Sequence, residues 1–301
     1  KVATVSLTTV EGAGPTVLVR MRALRPELTP VENRIAEQFL TAPAETAALS
    51  IAELAARCAT STASVVRFSR RVGYERYRDL RLDVTRAAMR ETMETDGLAT
   101  VSGDIDRNDS LADIVAKVSL AETLSISDTV SALDVGVLAT AVDAVTRARR
   151  VDVFGVGASA AVGLDLQRKL VRIGRTALEW SDSQAAWTSA ATLGPECVAI
   201  AISHSGATAD TIEFLGIARA SGATTVAITN HGASPLAQRA DLVLTTAARE
   251  TSFRSGALGS RIAQLMVVDC LFIGVAQATY DASMEALRRT YVAVHRARPE
   301  A

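Results

Sequence analysis

The sequence lacks the features of a disulfide-bonded, metal-binding or membrane-spanning protein. It has only three cysteines in 301 residues, and an odd number of widely separated cysteines argues against a disulfide framework or a zinc site. The longest apolar run, residues 262–276, contains Gln264 and Asp269 and is too short to cross a bilayer. The N-terminal residues show no basic and apolar leader with a cleavage site. We therefore expect a cytoplasmic protein that uses no metal and no cofactor and does not contact a membrane.

Aromatic residues and net charge are also scarce, at 4% of the chain and −1 respectively. The 49% of apolar residues nevertheless indicates a globular protein, and the length allows two domains. The charge is unevenly distributed, because residues 61–90 contain eight arginines but only three acidic residues. A basic segment attached to a mildly acidic body is typical of a DNA-binding module joined to a second domain.

The first 20 residues do not continue the pattern of the rest. The chain begins at Lys1, the residues Glu-Gly-Ala-Gly-Pro at 11–15 interrupt any regular element, and Met21 could be the natural start. We predict that residues 1–20 are an extension outside the fold. The polar, aperiodic stretch at 95–108 predicts a linker, which divides the chain into domains at 21–94 and 109–301.

The domain at 21–94 has the pattern of a helix-turn-helix. Capping boxes at Thr29 and Ser50 open two helices, the second helix ends at Cys58, and a third helix follows a three-residue turn. One face of this third helix is apolar, and we predict that the other contacts DNA. The predicted DNA contacts are Ser61, Thr62, Ser64, Arg67, Arg70 and Arg71. The alternative is an ordinary helical hairpin whose arginines form a solvated face.

Beyond residue 109 two helical segments are followed by short apolar strands that alternate with helices. The strands are predicted at 151–154, 176–180, 197–202, 224–228 and 242–245, with helices between them and a closing helical region at 260–296. This alternation predicts an α/β fold with a doubly wound, five-stranded parallel sheet of the flavodoxin-like type. Ligands of such sheets lie beyond the carboxyl ends of the strands.

Two of those strand ends carry the candidate binding residues. The third strand is followed by Ser203, His204, Ser205, Gly206 and Thr208, which suit a phosphate cradle at a helix N-terminus. The first strand is followed by Gly157 and Ser159. Together the loops suit one phosphate group and the hydroxyls of a small sugar.

Two other interpretations of these loops remain open. The serine-rich turn could be no more than a strand, a turn and a capped helix. The Gly-x-Gly-x-x-Ala pattern from Gly155, with Glu179 at the end of the next strand, could be a dinucleotide fingerprint whose acid binds a ribose hydroxyl.

Both domains contain stretches that resemble one known family. They are Ser-Ile-Ala-Glu-Leu-Ala at 50–55, Ser-Val-Val-Arg-Phe-Ser-Arg-Arg-Val-Gly-Tyr at 64–74, Val-Phe-Gly-Val-Gly-Ala-Ser at 153–159, Ile-Ser-His-Ser-Gly-Ala-Thr at 202–208, Ala-Ile-Thr-Asn at 227–230 and Phe-Arg-Ser at 253–255. On these stretches residues 21–300 resemble bacterial transcriptional regulators of the RpiR type, which join a helix-turn-helix to a sugar isomerase (SIS) domain.

The resemblance implies a dimeric or tetrameric regulator of carbohydrate metabolism that binds a double-stranded DNA operator and senses a phosphosugar effector. It implies that Ser159, Ser203 and Ser205 bind this effector, with Thr208 completing the phosphate loop. Glu250 is a further candidate that could reach the effector. SIS folds also serve isomerases, which need a general base, for which the candidates are His204, His231, Glu250 and Glu179. Because a DNA-binding module is fused to the domain, we expect a sensor and not an enzyme.

Overall fold

A computed structural model of the chain describes residues 15–94, 106–249 and 257–296. The chain divides into two compact units, one up to Glu94 and the other from Thr95 onward. The predicted linker at 95–108 stays a prediction, because residues 95–105 lie outside the described part of the chain.

The first unit is helical. Its helices are α1 Val17–Leu24, α2 Pro30–Thr41, α3 Pro43–Ala48, α4 Ile51–Arg57, α5 Thr62–Arg71 and α6 Tyr77–Glu94. Both predicted capping boxes are present, because the hydroxyls of Thr29 and Ser50 accept from the backbone three residues on, and Glu32 and Glu53 reach back. The core is centred on Phe39 of α2, which stacks on Phe68 of α5 with ring centroids 6.3 Å apart.

Helix α1 corrects the predicted start of this unit. Its residues Val17, Leu18 and Met21 are at most 1% exposed and belong to the same core as Phe39 and Phe68. The hydroxyl of Thr16 caps the helix by accepting from the Val19 N–H. The extension predicted for residues 1–20 is therefore wrong for the residues from Thr16 onward, and residues 1–14 lie outside the described part.

Helix α3 was absent from the sequence prediction, which gave no helix between those opened at Thr29 and Ser50. Pro43 occupies the first position of α3, where its missing N–H is not needed. This one-turn connection packs against α2 and α6.

The second unit has the alternating pattern of an α/β domain. Its elements are α7 Leu111–Ala132, α8 Val135–Arg147, β1 Arg150–Gly155, α9 Ala158–Arg172, β2 Ala177–Trp180, α10 Ser183–Ala190, β3 Cys197–Ile202, α11 Ala209–Ala220, β4 Thr224–Thr229, β5 Leu242–Thr245, α12 Leu258–Ala278 and α13 Tyr280–Arg296. Between β4 and β5, where the sequence predicted a helix, the structure has only a 3-10 turn at Ala237–Arg239.

The sheet is parallel throughout, with the strand order β2-β1-β3-β4-β5. Val153 and Ile200 point to a core shared with α8, α9 and α12, whereas Phe154 and Ala201 point to a second core under α10 and α11. Both faces of the sheet are therefore covered, and the predicted doubly wound parallel fold is confirmed.

The closing helical region predicted at 260–296 is two helices separated at Thr279. Among the described residues, α12 is the one helix that is long and apolar enough by itself to cross a membrane, and α7 with α8 would pass the same test as a bent pair. The buried face of α12 includes Val267, Val268 and Leu271 and packs on α7, α8 and α9. The apolar residues of α12 are thus explained by packing inside the α/β unit.

Both tryptophans lie on the β2–α10 side of the sheet. The Trp180 Nε1 donates to the carboxylate of buried Asp152 at 2.9 Å, and the Trp187 Nε1 donates to the Asp210 carbonyl at 3.1 Å. Trp187 therefore contacts the first turn of α11.

Candidate functional site

A cleft of about 480 Å³ opens at the carboxyl ends of β1 and β3. These strands are neighbours in the sheet, and the chain runs outward from them in opposite directions, which is where ligands of doubly wound sheets bind. The cleft is lined by Val156, Ala158, Ser159, Ile202, Ser203, His204, Ser205, Thr208, Ala257 and Ser260.

The loop after β1 brings Ser159 to the cleft by a sharp turn. Gly157 has φ +62° and ψ −124°, a conformation that is essentially restricted to glycine. A Cβ on Gly155 would lie 2.8 Å from the Ser159 carbonyl, so the strand end and the helix start must approach closely. Ser159 is 7% exposed, and its hydroxyl donates to the Gln264 Oε1 at 3.2 Å.

The loop after β3 forms a compact turn of hydroxyls. The Oγ of Ser203 lies 3.1 Å from the Oγ1 of Thr208 and accepts from the Gly206 N–H. The Ser205 Oγ accepts from the Ala207 N–H at 3.2 Å. Gly206 has φ +62°, and a Cβ there would lie 2.1 Å from the Oγ of Ser234. The sequence-predicted residues of this loop thus meet at one wall of the cleft.

Three of the described helices begin at this cleft, and none of the three has a side-chain cap at its N-terminus. The N-cap residues of α9, α11 and α12 are Gly157, Thr208 and Ala257, and none of their side chains accepts a hydrogen bond from the helix backbone. By contrast, Ser110, Asp134 and Asp182 cap α7, α8 and α10 of the same unit. The first N–H groups of a helix need acceptors, and the helix dipole places positive partial charge there. The cleft therefore collects donors suited to an anion.

Helix α12 contributes residues that the sequence prediction missed. Ala257 and Ser260 line the cleft, and Gln264, one turn further along, contacts Ser159. The available signal was the position of Gln264 inside a long apolar run, where a polar residue is unusual.

The residues considered as a general base are placed differently. His204 lines the cleft, and its ring lies 5.9 Å from that of His231. Glu179 and His231 are not among the cleft-lining residues, and burial raises the pKa of Glu179. Glu250, like the Phe-Arg-Ser motif at 253–255, lies outside the described residues.

The second candidate surface is the exposed face of α5. Helices α4 and α5 are joined by a turn in which Ala59 has φ +47°. Val65 and Phe68 are completely buried, and Val72, just past the helix end, is 2% exposed. The exposed residues of the turn and helix include Ser61, Thr62, Arg67, Arg70 and Arg71.

Ser64 differs from the other predicted DNA contacts, because it is only 9% exposed. Its Oγ lies 3.1 Å from the Oγ of Ser61 and accepts from the Arg67 Nη2 at 2.9 Å. The Nη2 of Arg71 donates to the Glu27 carbonyl and lies 3.8 Å from the Glu27 carboxylate. Arg67 and Arg70 are exposed. Among the described hydrogen bonds and ion pairs, neither of these arginines contacts another element.

A metal site is not evident in the described ranges, where no three His, Cys, Asp or Glu side chains form a group that could hold an ion.

Two family models match the chain, one in each unit. The helix-turn-helix domain of the rpiR family matches residues 16–90, and the SIS domain matches residues 144–274. The first match includes α1, in agreement with its burial in the core of the helical unit.

Similar proteins match the whole chain or its α/β unit. An uncharacterised HTH-type transcriptional regulator of Caldanaerobacter subterraneus subsp. tengcongensis is 36% identical over 274 residues, which are 91% of this chain and 95% of that protein. The structure of the Vibrio vulnificus NanR protein complexed with ManNAc-6P has a TM-score of 0.59 and 26% identity, and the match covers 95% of this chain and 100% of NanR. The sugar isomerase domain of an RpiR transcription factor from Sphaerobacter thermophilus has a TM-score of 0.53 and 27% identity, with 57% of this chain and 95% of that chain covered.

The chain belongs to the rpiR-type family of HTH transcriptional regulators, with a SIS domain as its second unit. The predicted family and function as a transcriptional regulator are confirmed. The Gly-x-Gly turn after β1 lies within the SIS match.

Proposed function

We propose that a phosphosugar bound in the cleft controls the affinity of this regulator for a DNA operator. The observation that carries the proposal is the convergence of three uncapped helix starts with the hydroxyls of Ser159, Ser203, Ser205 and Thr208. The structural similarity to NanR, which was solved with ManNAc-6P, supports the same class of effector.

A phosphate suits this cleft because the dipoles of the helices that begin there favour its negative charge. The lining residues include no Lys, Arg, Asp or Glu within the described ranges, so neither a counter-charge nor a repelling carboxylate is supplied there. Each helix N-terminus carries about half a positive elementary charge, and anions near it gain about 0.3–2 kcal/mol. Backbone N–H groups and hydroxyls can also donate to the phosphate oxygens.

The exposed face of α5 is proposed to enter the major groove. Arg67 would contact base edges, while Ser61, Thr62 and Arg70 would contact the phosphate backbone. Ser64 is proposed to act indirectly, because its buried hydroxyl holds the Arg67 guanidinium. Arg71 would contact DNA only by giving up part of its interaction with Glu27.

We also propose that the protein acts in the cytoplasm as a homodimer or tetramer on a pseudo-palindromic operator. Helix α13 supports self-association. Its apolar side chains follow the spacing 4-3-4-3 of a coiled-coil seam. Those that are largely exposed are Tyr280, Met284, Tyr291 and Val294, at 49–63%. Leu287 completes the spacing and is partly buried against the core of the unit.

A sensor is favoured over an isomerase, because the SIS unit is joined to a DNA-binding unit and its relatives are named as regulators. Isomerase activity requires a general base beside the sugar carbons. Incubation with a panel of aldose and ketose phosphates tests this alternative. Turnover that disappears in Glu250→Gln would overturn the assignment as a sensor.

Thermal-shift screening of sugar phosphates tests the proposal, because a ligand that binds only the folded state raises the melting temperature. The screen includes N-acetylmannosamine 6-phosphate and each sugar without its phosphate. We expect a phosphorylated sugar to stabilise the protein and to change its affinity for its operator. Ser205→Ala should weaken both effects and leave operator binding of the unliganded protein unchanged.

Ser221→Ala is the matched control, because Ser221 lies at the opposite end of α11 and bonds the Ile217 carbonyl. This variant should respond like the wild type. Equal responses of Ser205→Ala and Ser221→Ala would remove the β3–α11 loop from the effector site.

A further inference from the structure

Gln264 is a buried polar residue in a helix that is otherwise a core element. It is 1% exposed and lies on α12 between Ala263 and Val267, both of which are fully buried. One turn earlier on the same helix, Ser260 lines the cleft. Gln264 therefore lies directly behind the cleft wall.

The side chain of Gln264 links two of the helices that begin at the cleft. Its Oε1 accepts from the hydroxyl of Ser159, in the first turn of α9. Its Nε2 is buried and has no hydrogen-bond partner within the described residues. A buried donor without a partner is destabilising by about 1–3 kcal/mol, and an apolar side chain of similar size would avoid that loss. In the unliganded protein only the Oε1 of this amide has a partner, and its Nε2 donor is left over.

The hydroxyl of Ser159 has only one proton to donate. In the unliganded cleft that proton is directed to the Gln264 Oε1. A bound phosphate would compete for it and prevail, because hydrogen bonds to charged acceptors are roughly twice as strong as neutral ones. Once the proton turns to the phosphate, the Ser159 oxygen is left as an acceptor beside the amide.

We infer that Gln264 is a positioning residue for the effector phosphate, acting through Ser159. A half-turn of its terminal amide places Nε2 where Oε1 was, and the Nε2 then donates to the Ser159 oxygen while Ser159 donates to the phosphate. Such a chain of hydrogen bonds strengthens each member. The half-turn pairs Nε2 and leaves Oε1 in the position that has no partner, and the charge-assisted hydrogen bond from Ser159 to the phosphate drives this exchange. This inference rests on the proposed phosphate site.

The test uses the full chain, with binding of inorganic phosphate followed by phosphorus NMR. Gln264→Leu removes both amide atoms at similar volume and should weaken phosphate binding about 3- to 10-fold, the worth of one hydrogen bond. The melting temperature of the unliganded variant should change little, because removal of the unpaired donor offsets the loss of the hydrogen bond from Ser159 to Gln264.

Gln264→Glu separates positioning from packing. At a pH high enough to ionise this buried carboxyl, the carboxylate cannot donate to Ser159 and repels the phosphate, so binding should be weaker than in Gln264→Leu. As the pH falls and the carboxyl is protonated, the donor returns and the affinity relative to the wild type at the same pH should recover. A buried carboxyl is protonated well above its usual pKa, which brings this recovery into an accessible range.

Gln277→Leu is the matched control, because Gln277 is an exposed glutamine on the same helix. It should bind phosphate like the wild type. Wild-type affinity in Gln264→Leu, or no recovery of Gln264→Glu at low pH, would overturn the role of Gln264 alone. A wild-type protein that binds neither phosphate nor any sugar phosphate would overturn the phosphate site itself, and this inference with it.

Discussion

Gly157 and Gly206 have the same positive φ but different surroundings. A Cβ on Gly157 would meet nothing within 4 Å, whereas one on Gly206 would lie 2.1 Å from the Ser234 Oγ and 2.9 Å from the Thr229 Oγ1. Ser234 is 7% exposed, and its hydroxyl accepts from the Ala237 N–H, so it is not free to move aside. A substitution at Gly157 therefore reports backbone strain alone, whereas a substitution at Gly206 reports strain together with steric overlap.

Substitution of each glycine by alanine should show this difference in urea unfolding. Gly157→Ala should lower the free energy of unfolding by about 1–3 kcal/mol, from backbone strain alone. Gly206→Ala should lose more, because the steric overlap adds to the strain of a positive φ. Equal losses would mean that the β4–β5 side of the loop yields easily and does not hold the turn.

Arg67 should determine sequence discrimination. Arg67→Ala should weaken operator binding by about 1–3 kcal/mol and random-DNA binding by less. The control is Arg147→Ala, an exposed arginine on α8 paired only weakly with Asp143 at 3.5 Å. Gel-shift titrations at fixed salt measure both affinities. Unchanged discrimination in Arg67→Ala would remove this residue from the base contacts.

For single residues, the sequence predicted which loop residues line the cleft, but not which residues of the helix behind these loops do. Ser159, Ser203 and Thr208 follow strands whose carboxyl ends meet, so their convergence could be predicted from the topology. Their contact with an effector stays a prediction. Gln264 stood out in its apolar run, but neither it nor Ser260 could be assigned to the cleft, because the placement of α12 depends on long-range packing.

Helix α4 depends on its capping box for a defined start. The Ser50 Oγ accepts from the Glu53 N–H at 3.3 Å, and the Glu53 Oε2 accepts from the Ser50 N–H at 2.7 Å. Ser50→Ala should lower the free energy of unfolding of the helical unit by about 1 kcal/mol. Thermal unfolding at neutral pH measures this loss.

The effect of Ser50→Ala should also depend on pH. Hydrogen bonds from Ser50 hold the pKa of Glu53 below its ordinary value. A carboxyl whose pKa is lowered by folding stabilises the fold above its unfolded pKa and loses that contribution as the pH falls through its folded pKa. The difference between wild type and Ser50→Ala should therefore shrink below about pH 4. A difference that persists unchanged in acid would contradict the role of the Glu53 carboxylate.

Elements with strong local signals were predicted to the residue. Strands β3 and β5 have the predicted bounds, because apolar runs and flanking polar or glycine residues delimit them. The break between α12 and α13 was missed, because residue 279 is a threonine and not the glycine or proline that usually marks a break. Helix α1 was missed because Met21 was taken as a start, although the apolar residues before it are core residues.

For the whole molecule, the α13 seam predicts its state of association. Tyr291→Glu places a charge in the exposed seam and should lower the assembly mass measured by light scattering, because a coiled-coil seam excludes charge. Ala282→Glu is the control, since Ala282 is exposed on the same helix but outside the seam. An unchanged mass in Tyr291→Glu would place self-association on another surface.

The positions of Trp180 and Trp187 give the α/β unit an optical readout of its own. The chain has two tryptophans, and both belong to the α/β unit, whereas Tyr74 and Tyr77 belong to the helical unit. Indole fluorescence will therefore follow the α/β unit alone and remain silent when only the DNA-binding half melts. Because Trp187 bonds the first turn of α11, its emission should also register an occupied cleft without any added label.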